Sequence, residues 1–235
     1  MYLAYATQKS RDFNAPALVQ GPWTLPRYQP NWTTASEGSE LKDIIVIGGP
    51  NGAGKSTMAT ELLPNKLRLL EFVNADNIAL GLSPFNPHGV AVSAGRVMLS
   101  RMHELARAER SFALETTCAG IGHARFLRQC QSNGWRVTLI FLWLNDPELA
   151  IRRVAQRVTE GGHNIPRDVI VRRYWAGLRN LIGLYLPLAD SADIYDNSDG
   201  LGIPIATKSR QAGMIIHDKE RWAHMAGAAP EGDIK

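Results

Sequence analysis

From Asp43 onward, short apolar runs alternate along the chain with amphipathic stretches. Strands are predicted in the segments DIIVIGG, LRLLEFVNAD, SFALETT, RVTLIFLWL, ADIYDNS and GMIIHD. A helix is predicted to begin at KSTMATELL. Further helices are predicted over GVAVSAGRVMLSRMHELARAE, HARFLRQCQSN, DPELAIRRVAQRV, IPRDVIVRRYWAGLRNLIGLYL and KERWAHMA. In the longest of the early helices, Val90, Val97, Met98 and Leu105 stand near helical spacing. The alternation predicts an α/β fold with a mainly parallel sheet and helices on both faces.

Residues 1–41 have a different character. The segment APALVQGPWTLPRYQPNWTTASEGSE is rich in Pro, Gly, Ser, Thr and Trp and shows no sustained helical or strand period. This composition is typical of an irregular arm or a disordered extension, and a start codon assigned too far upstream would give the same pattern. The sequence therefore predicts an arm over residues 1–41 and one folded domain over residues 42–235.

The composition is ordinary for a globular protein, with 45% hydrophobic and 20% charged residues in a chain of 235. The longest apolar run, VTLIFLWL, is too short to span a bilayer, and the first residues lack the apolar core of a secretory signal. We therefore expect a cytoplasmic protein without a membrane segment. Cys118 and Cys130 have no histidine partner at zinc-site spacing, so we expect reduced thiols and no metal cluster. A net charge of +4 suits an anionic partner, either a nucleotide or nucleic acid.

The segment GGPNGAGKST matches the pattern G-x-x-x-x-G-K-[ST], with an apolar strand before it and an amphipathic helix after it. In such a loop, glycines let backbone N–H groups surround phosphate oxygens, Lys55 reaches the outer phosphates of ATP, and Ser56 offers a hydroxyl to Mg²⁺. These features predict a three-layer P-loop NTPase fold. The predicted nucleotide-binding residues are Gly49, Pro50, Asn51, Gly52, Ala53, Gly54, Lys55, Ser56 and Thr57.

Polar clusters follow three of the predicted strands, and ligands of an open parallel sheet bind at this carboxyl edge. In the cluster NAD, Asp76 is a candidate general base for an attacking hydroxyl, or else the N-cap of the following helix. In the cluster ETT, Glu115 could orient an acceptor or hold a Mg²⁺-bound water, while Thr116 and Thr117 donate hydrogen bonds to substrate or satisfy only backbone groups. The third cluster, NDP, begins at Asn145. We expect all three clusters near the γ-phosphate.

Arginines concentrate on the two helices that flank the Gly161-Gly162 break. Two such helices around a glycine turn suggest a helical lid that closes over the phosphates and neutralises their charge, although each arginine could equally lie on a solvated face. We expect these basic residues to contact phosphates of a nucleotide rather than to form a nucleic-acid-binding surface. His163, in the glycine turn, could contact substrate or phosphate or else bond to local backbone, whereas His88, His103 and His123 are scattered and form no recognisable pattern. The arginines concerned are Arg152, Arg153 and Arg157 before the break and Arg172 and Arg173 after it.

The motifs GGPNGAGKST, NAD, SFALETT, LIFLWLNDPELAIRRVAQRV, GGHNIP and VIVRRYWAGLRNL occur in this order. Together, over residues 43–220, they resemble the zeta toxin family of P-loop kinases, in its compact branch often labelled predicted ABC-type ATPases. The resemblance implies Mg²⁺- and ATP-dependent phosphorylation of a small acceptor. Characterised zeta toxins phosphorylate a hydroxyl of UDP-N-acetylglucosamine, and many are inhibited by a separate antitoxin protein that obstructs the nucleotide site.

Residue by residue, the resemblance implies that Lys55 and Ser56 bind the phosphates and Mg²⁺ and that Asp76 is the catalytic base. Glu115 and Thr117 match substrate-side positions. The helix facing the acceptor adds Arg96. One arginine of each of two pairs, Arg153 or Arg157 and Arg172 or Arg173, resembles an arginine that stabilises the transferring phosphate.

Two alternatives remain beside a kinase acting on a nucleotide sugar. One is a regulatory ATPase that hydrolyses ATP as a switch, although neither the LSGGQ-like signature nor the apolar strand ending in Asp-Glu of an ABC ATPase occurs in the sequence. The other is a nucleic-acid end kinase, which would use the same phosphate loop and base and would bind oligonucleotides in a salt-dependent manner.

Overall fold

The structure is a computed structural model that describes residues 42–162 and 164–227. The predicted arm over residues 1–41, His163 and the last eight residues of the predicted domain lie outside the described residues.

A seven-stranded sheet forms the centre of the described chain, in the spatial order β2-β3-β1-β4-β5-β6-β7. The first five strands of the sheet are parallel, and the last two continue it in antiparallel orientation. The predicted α/β class with a mainly parallel sheet is therefore confirmed. The strands are β1 (Asp43–Gly48), β2 (Phe72–Val73), β3 (Phe112–Thr116), β4 (Arg136–Trp143), β5 (Ser191–Asp196), β6 (Ile203–Ser209) and β7 (Gly213–Ile216).

The helices largely follow the predicted segments. A 3₁₀ turn over Pro87–Val90 precedes α3, and a π-helical turn over Leu181–Tyr185 follows α6. The predicted long helix through residue 186 is continuous, and the π-helical turn lies inside it. The α-helices are α1 (Lys55–Asn65), α2 (Ala75–Leu82), α3 (Ala91–Arg107), α4 (Gly122–Ser132), α5 (Pro147–Thr159), α6 (Arg167–Asn180), α7 (Leu186–Leu188) and α8 (Lys219–Gly227).

Strand β6 is an element that the sequence pattern does not predict. Its second residue, Pro204, has no N–H to donate to a ladder, and prolines usually exclude a segment from a strand interior. The register of the β5–β6 ladder shifts between Ile194 and Tyr195, opposite Pro204, so the irregularity is absorbed there.

The buried face of α3 also differs from the predicted one. Ala94, Met98, Met102 and Leu105 are buried, at i, i+4, i+8 and i+11, whereas Val97 is exposed. Of the predicted stripe, Met98 and Leu105 therefore lie on the buried face, and Val97 does not, because it lies about 100° around the helix from Met98.

The core lies on both faces of the central strands. Each residue of β1 from Ile44 to Gly48 is buried, and β4 is buried from Val137 to Trp143. Strands buried on both faces carry continuous apolar runs, which is why IIVIG and VTLIFLW are uninterrupted. Among the described residues, no helix is both long and apolar enough to cross a membrane.

Candidate active site

The loop between β1 and α1 has a backbone that only glycine accommodates at two positions. Gly49 has φ of 142°, and a Cβ atom there would lie 2.2 Å from the carbonyl oxygen of Leu142. Gly54, the residue before α1, has φ of 84° in the left-handed region. This geometry brings the loop back over the carboxyl end of β1 and aims the first amides of α1 at the space that a phosphate group would fill.

Three side chains hold this loop by its carbonyl oxygens. Lys55 Nζ donates to the oxygen of Pro50 at 2.9 Å. Asn197 Nδ2, from the end of β5, donates to the oxygen of Ala53 at 2.8 Å. Arg153 on α5 donates to Gly52 O at 3.5 Å and, more closely, to Ser198 O at 2.8 Å. The loop is therefore fixed before any ligand binds.

Lys55 is a buried cation whose environment favours an anionic ligand. Only 6% of the surface of Lys55 is exposed to solvent. Burial lowers the pKa of its ammonium group, and the carboxylates of Glu115 and Asp76 partly offset that effect. Lys55 Nζ lies 3.7 Å from Glu115 Oε1. A phosphate group beside the ammonium would stabilise its charged form further.

Glu115, at the end of β3, links the phosphate loop to the next strand end. Its Oε2 accepts hydrogen bonds from Ser56 Oγ at 2.7 Å and from Asn74 Nδ2 at 2.6 Å. The Ser56 hydroxyl and the Glu115 carboxylate are hard oxygen donors beside the loop, which fits a Mg²⁺ ion bound by a few protein oxygens and by the phosphates of a nucleotide. The glycine loop and Lys55 fit the nucleotide itself.

Asp76 lies in the first turn of α2, but it does not cap that helix. The N-cap is Asn74, whose Oδ1 accepts from the backbone N–H groups of Asp76 at 2.8 Å and Asn77 at 3.1 Å. The capping alternative for Asp76 is therefore excluded. Asn74 also donates to Glu115, which accepts from Ser56. Asn74 therefore connects the turn that carries Asp76 to the phosphate loop.

A cavity of about 360 Å³ joins these groups. The phosphate loop contributes Asn51 and Lys55 to its wall, and the side-chain oxygen of Asn51 is buried without a hydrogen-bond partner among the described residues. Of the other residues predicted from the sequence, the wall contains Asp76, Glu115, Thr116, Thr117 and Arg173.

The arginines divide according to the face of the helix on which they lie. On α6, Arg173 is half-buried in the cavity wall, whereas Arg172 is exposed. On α5, Arg152 is exposed, and Arg157 is half-buried and lowers the pKa of Lys55 through its charge, although burial of Lys55 is the larger cause. Arg96 is exposed on α3, and the cavity wall does not include it.

Arg157 packs beneath the glycine turn after α5. Gly162 N donates to Arg157 O at 2.8 Å, and a Cβ at Gly162 would lie 2.6 Å from Arg157 Cγ. The absence of a side chain at Gly162 therefore lets the turn close over the arginine.

The connection between β3 and α4 forms another part of the wall. Thr116 Oγ1 accepts from the backbone N–H of Cys118 at 3.0 Å. Asn180 donates to the carbonyl oxygens of Cys118 and Ala119, and the Tyr185 hydroxyl donates to Gly120 O at 3.0 Å. The π-helical turn that ends in Tyr185 thus helps to hold this connection.

Several of these residues carry roles that the sequence did not reveal. Asn74 stands in the motif NAD, but its double role as cap and Glu115 partner depends on where β2 ends. Asn197 and His123 are separated from the phosphate loop by long stretches of chain and belong to no spacing pattern. His123 follows β3 and lies in the cavity wall, and Asn197 follows β5. Both come near the phosphate loop because β3 and β4 lie on either side of β1, and β5 lies next to β4.

Comparison with known proteins agrees with this geometry. Residues 44–173 match the model of the AAA_33 family, described as an AAA domain. An uncharacterized protein of Haemophilus influenzae is 30% identical over 130 residues, which are 55% of this chain and 91% of that protein.

Two solved structures share the fold at 15% identity. One is the complex AvrRxo1-ORF1:-ORF2 with ATP, which superposes with a TM-score of 0.67. The match spans 83% of this chain and 66% of the AvrRxo1 chain. A structure of the PezAT chromosomal toxin-antitoxin system of Streptococcus pneumoniae has a TM-score of 0.56 and covers 81% of this chain and 87% of its own. The family match, with the glycine loop and Lys55 at the carboxyl edge of the sheet, shows that the chain belongs to the AAA domain family and has the P-loop NTPase fold.

Proposed function

We propose that the protein is a Mg²⁺- and ATP-dependent kinase that transfers a phosphoryl group to a hydroxyl of a small molecule. The observation that carries the proposal is the shared cavity, in which Lys55 of the phosphate loop, the Asp76 carboxylate and Arg173 line one space of about 360 Å³. A switch that hydrolyses ATP needs only the phosphate end of such a space. A kinase also needs room for an acceptor beside a base.

In the proposed reaction, Lys55 and the loop amides bind the β- and γ-phosphates. Ser56 and Glu115 would hold Mg²⁺, and the ion would neutralise phosphate charge. An acceptor hydroxyl oxygen forms a bond to the γ-phosphorus while the bond from that phosphorus to the β,γ-bridging oxygen breaks. ADP leaves with the bonding electron pair, and Asp76 accepts the hydroxyl proton. Arg173 and an arginine of α5, Arg153 or Arg157, stabilise the charge on the transferring group.

The acceptor that we propose is a nucleotide sugar, with UDP-N-acetylglucosamine as the first candidate. Its support is the resemblance of six motifs to zeta toxins, together with a fold shared with a structure from the PezAT toxin-antitoxin system. On the same grounds, we propose that a separate antitoxin protein inhibits the enzyme.

The test is to incubate the purified full chain with MgATP and a panel of acceptors, and to examine the products by mass spectrometry. The panel contains UDP-N-acetylglucosamine, other nucleotide sugars and a 5′-hydroxyl oligonucleotide. We expect UDP-N-acetylglucosamine to gain one phosphate with the wild-type protein and not with Lys55→Ala. Formation of ADP without any modified acceptor would favour the ATPase switch, and phosphorylation of the oligonucleotide alone would favour the nucleic-acid end kinase.

The two adjacent arginines of α6 provide a matched pair of variants. Because Arg173 lines the cavity and Arg172 is exposed, we expect Arg173→Gln to lower kcat by roughly a hundredfold, the size expected when a group that stabilises transition-state charge is removed. Arg172→Gln removes the same charge from the same helix, so its kcat should stay close to that of the wild type. Equal losses in the two variants, measured as phosphate transferred from labelled ATP, would exclude a specific role for Arg173.

A further inference from the structure

His123 is the second residue of α4 and lies in the wall of the same cavity as Lys55 and Asp76. Its Nδ1 is 3.2 Å from Thr116 Oγ1. Nothing in the proposed reaction uses His123, since the proton acceptor and the phosphate-binding groups come from α2, the phosphate loop, α5 and α6.

The surroundings of His123 fix one side of the ring. Thr116 Oγ1, which contacts Nδ1, also accepts from the backbone N–H of Cys118. The same connection is held by Asn180 and by the hydroxyl of Tyr185, so the peptide leading into α4 is anchored at several carbonyl oxygens. The ring is therefore positioned by its Nδ1 side.

The other ring nitrogen, Nε2, makes no hydrogen bond within the described part of the chain. Burial lowers the pKa of the His123 imidazole below its ordinary value, so the ring is neutral at neutral pH. In a neutral imidazole, Nε2 is either a donor or an acceptor, according to the tautomer. A hydroxyl group satisfies both tautomers, because it can donate and accept.

We propose that His123 recognises the phosphate acceptor, and that its Nε2 forms a hydrogen bond with an acceptor hydroxyl other than the one that is phosphorylated. The acceptor is then a polyol or a sugar-containing molecule, which presents more than one hydroxyl to a single cavity. This inference rests on the proposed kinase function and adds the residue that selects the acceptor at the β3–α4 side of the site.

The test compares His123→Ala, His123→Gln and the control His103→Ala, each with MgATP and UDP-N-acetylglucosamine as the probe. Loss of a neutral hydrogen bond corresponds to about a tenfold change in binding, so we expect His123→Ala to raise the KM for the probe about tenfold and to leave the KM for ATP similar. His123→Gln keeps a neutral donor and acceptor and should recover part of the loss. His103 lies exposed on α3 with its ring against Phe126, outside the cavity, and its variant should behave as the wild type.

A second measurement separates recognition from a structural role. We expect the ring-nitrogen NMR signals of His123, assigned with His123→Gln, to shift when the probe is added to wild-type protein containing Mg²⁺ and a non-hydrolysable ATP analogue. An unchanged probe KM in His123→Ala, or unshifted ring signals under saturating probe, would overturn the role of His123 while the kinase function stands. Absence of Lys55-dependent transfer to the probe by the wild-type protein would instead overturn the proposed acceptor, and this inference with it.

Discussion

The substitution Lys55→Ala is expected to lower phosphoryl transfer at least about a hundredfold, which is the loss measured when one group that stabilises transition-state charge is removed from an active site. Two contributions disappear together. The ammonium group no longer neutralises the outer phosphates, and the loop loses the hydrogen bond from Lys55 Nζ to Pro50 O. Transfer of labelled phosphate from ATP measures the first contribution, and the KM for ATP reports the combined effect on nucleotide binding.

The matched control for this experiment is Lys66→Ala. Lys66 is an exposed lysine at the other end of the same helix, α1, so its removal changes the net charge equally without touching the phosphate loop. Thermal unfolding followed by circular dichroism shows whether each variant is folded. A folded Lys55→Ala protein that transfers phosphate at a rate similar to Lys66→Ala would exclude the proposed role of the loop.

The phosphate loop was predictable because its information is local. Gly49, Gly54 and Lys55 stand within seven residues, and the glycines are required by backbone geometry that the motif already specifies. The positions of Asp76 and Glu115 were predictable for a different reason. Parallel strands end at one edge of a sheet, so polar residues that follow apolar runs come together there.

The arginines show where the sequence is insufficient. Arg172 and Arg173 are adjacent on a helix and point about 100° apart, so one of them faces inward, but only the packing of α6 decides which. The same limit applies to His123 and Asn197. Each reaches the site through the order of strands in the sheet and through a connection held by distant residues, and no spacing in the sequence records either arrangement.

Asn74 links three of the predicted site residues through hydrogen bonds that the sequence did not reveal. It caps α2 and so sets the position of Asp76, while its amide group donates to the carboxylate of Glu115. Glu115 in turn accepts from Ser56 at the start of α1. A displacement of the phosphate loop would therefore be transmitted to α2, which carries the proposed base Asp76, through two short hydrogen bonds to the Glu115 carboxylate.

The substitution Asp76→Asn is expected to lower kcat by about a hundredfold to ten-thousandfold, the range for loss of a general base. The amide has nearly the shape of the carboxylate but cannot take the proton of the attacking hydroxyl. Nucleotide binding should be retained, because the loop bonds of Lys55, Asn197 and Arg153 do not involve Asp76. The measurement pairs phosphate transfer with equilibrium binding of a fluorescent ATP analogue.

Asp168→Asn is the matched control for the base. Asp168 is also the second residue of a helix, α6, but it is exposed, so both variants lose a carboxylate from a first helical turn while only one of them changes the cavity. Any effect that arises from weaker interaction with the helix dipole would appear in both proteins. If Asp76 is the base, the rate of phosphate transfer should fall in Asp76→Asn and not in Asp168→Asn, and both variants should still bind the ATP analogue. If transfer persists in that variant, another group removes the proton; if the analogue no longer binds, Asp76 acts through the nucleotide site.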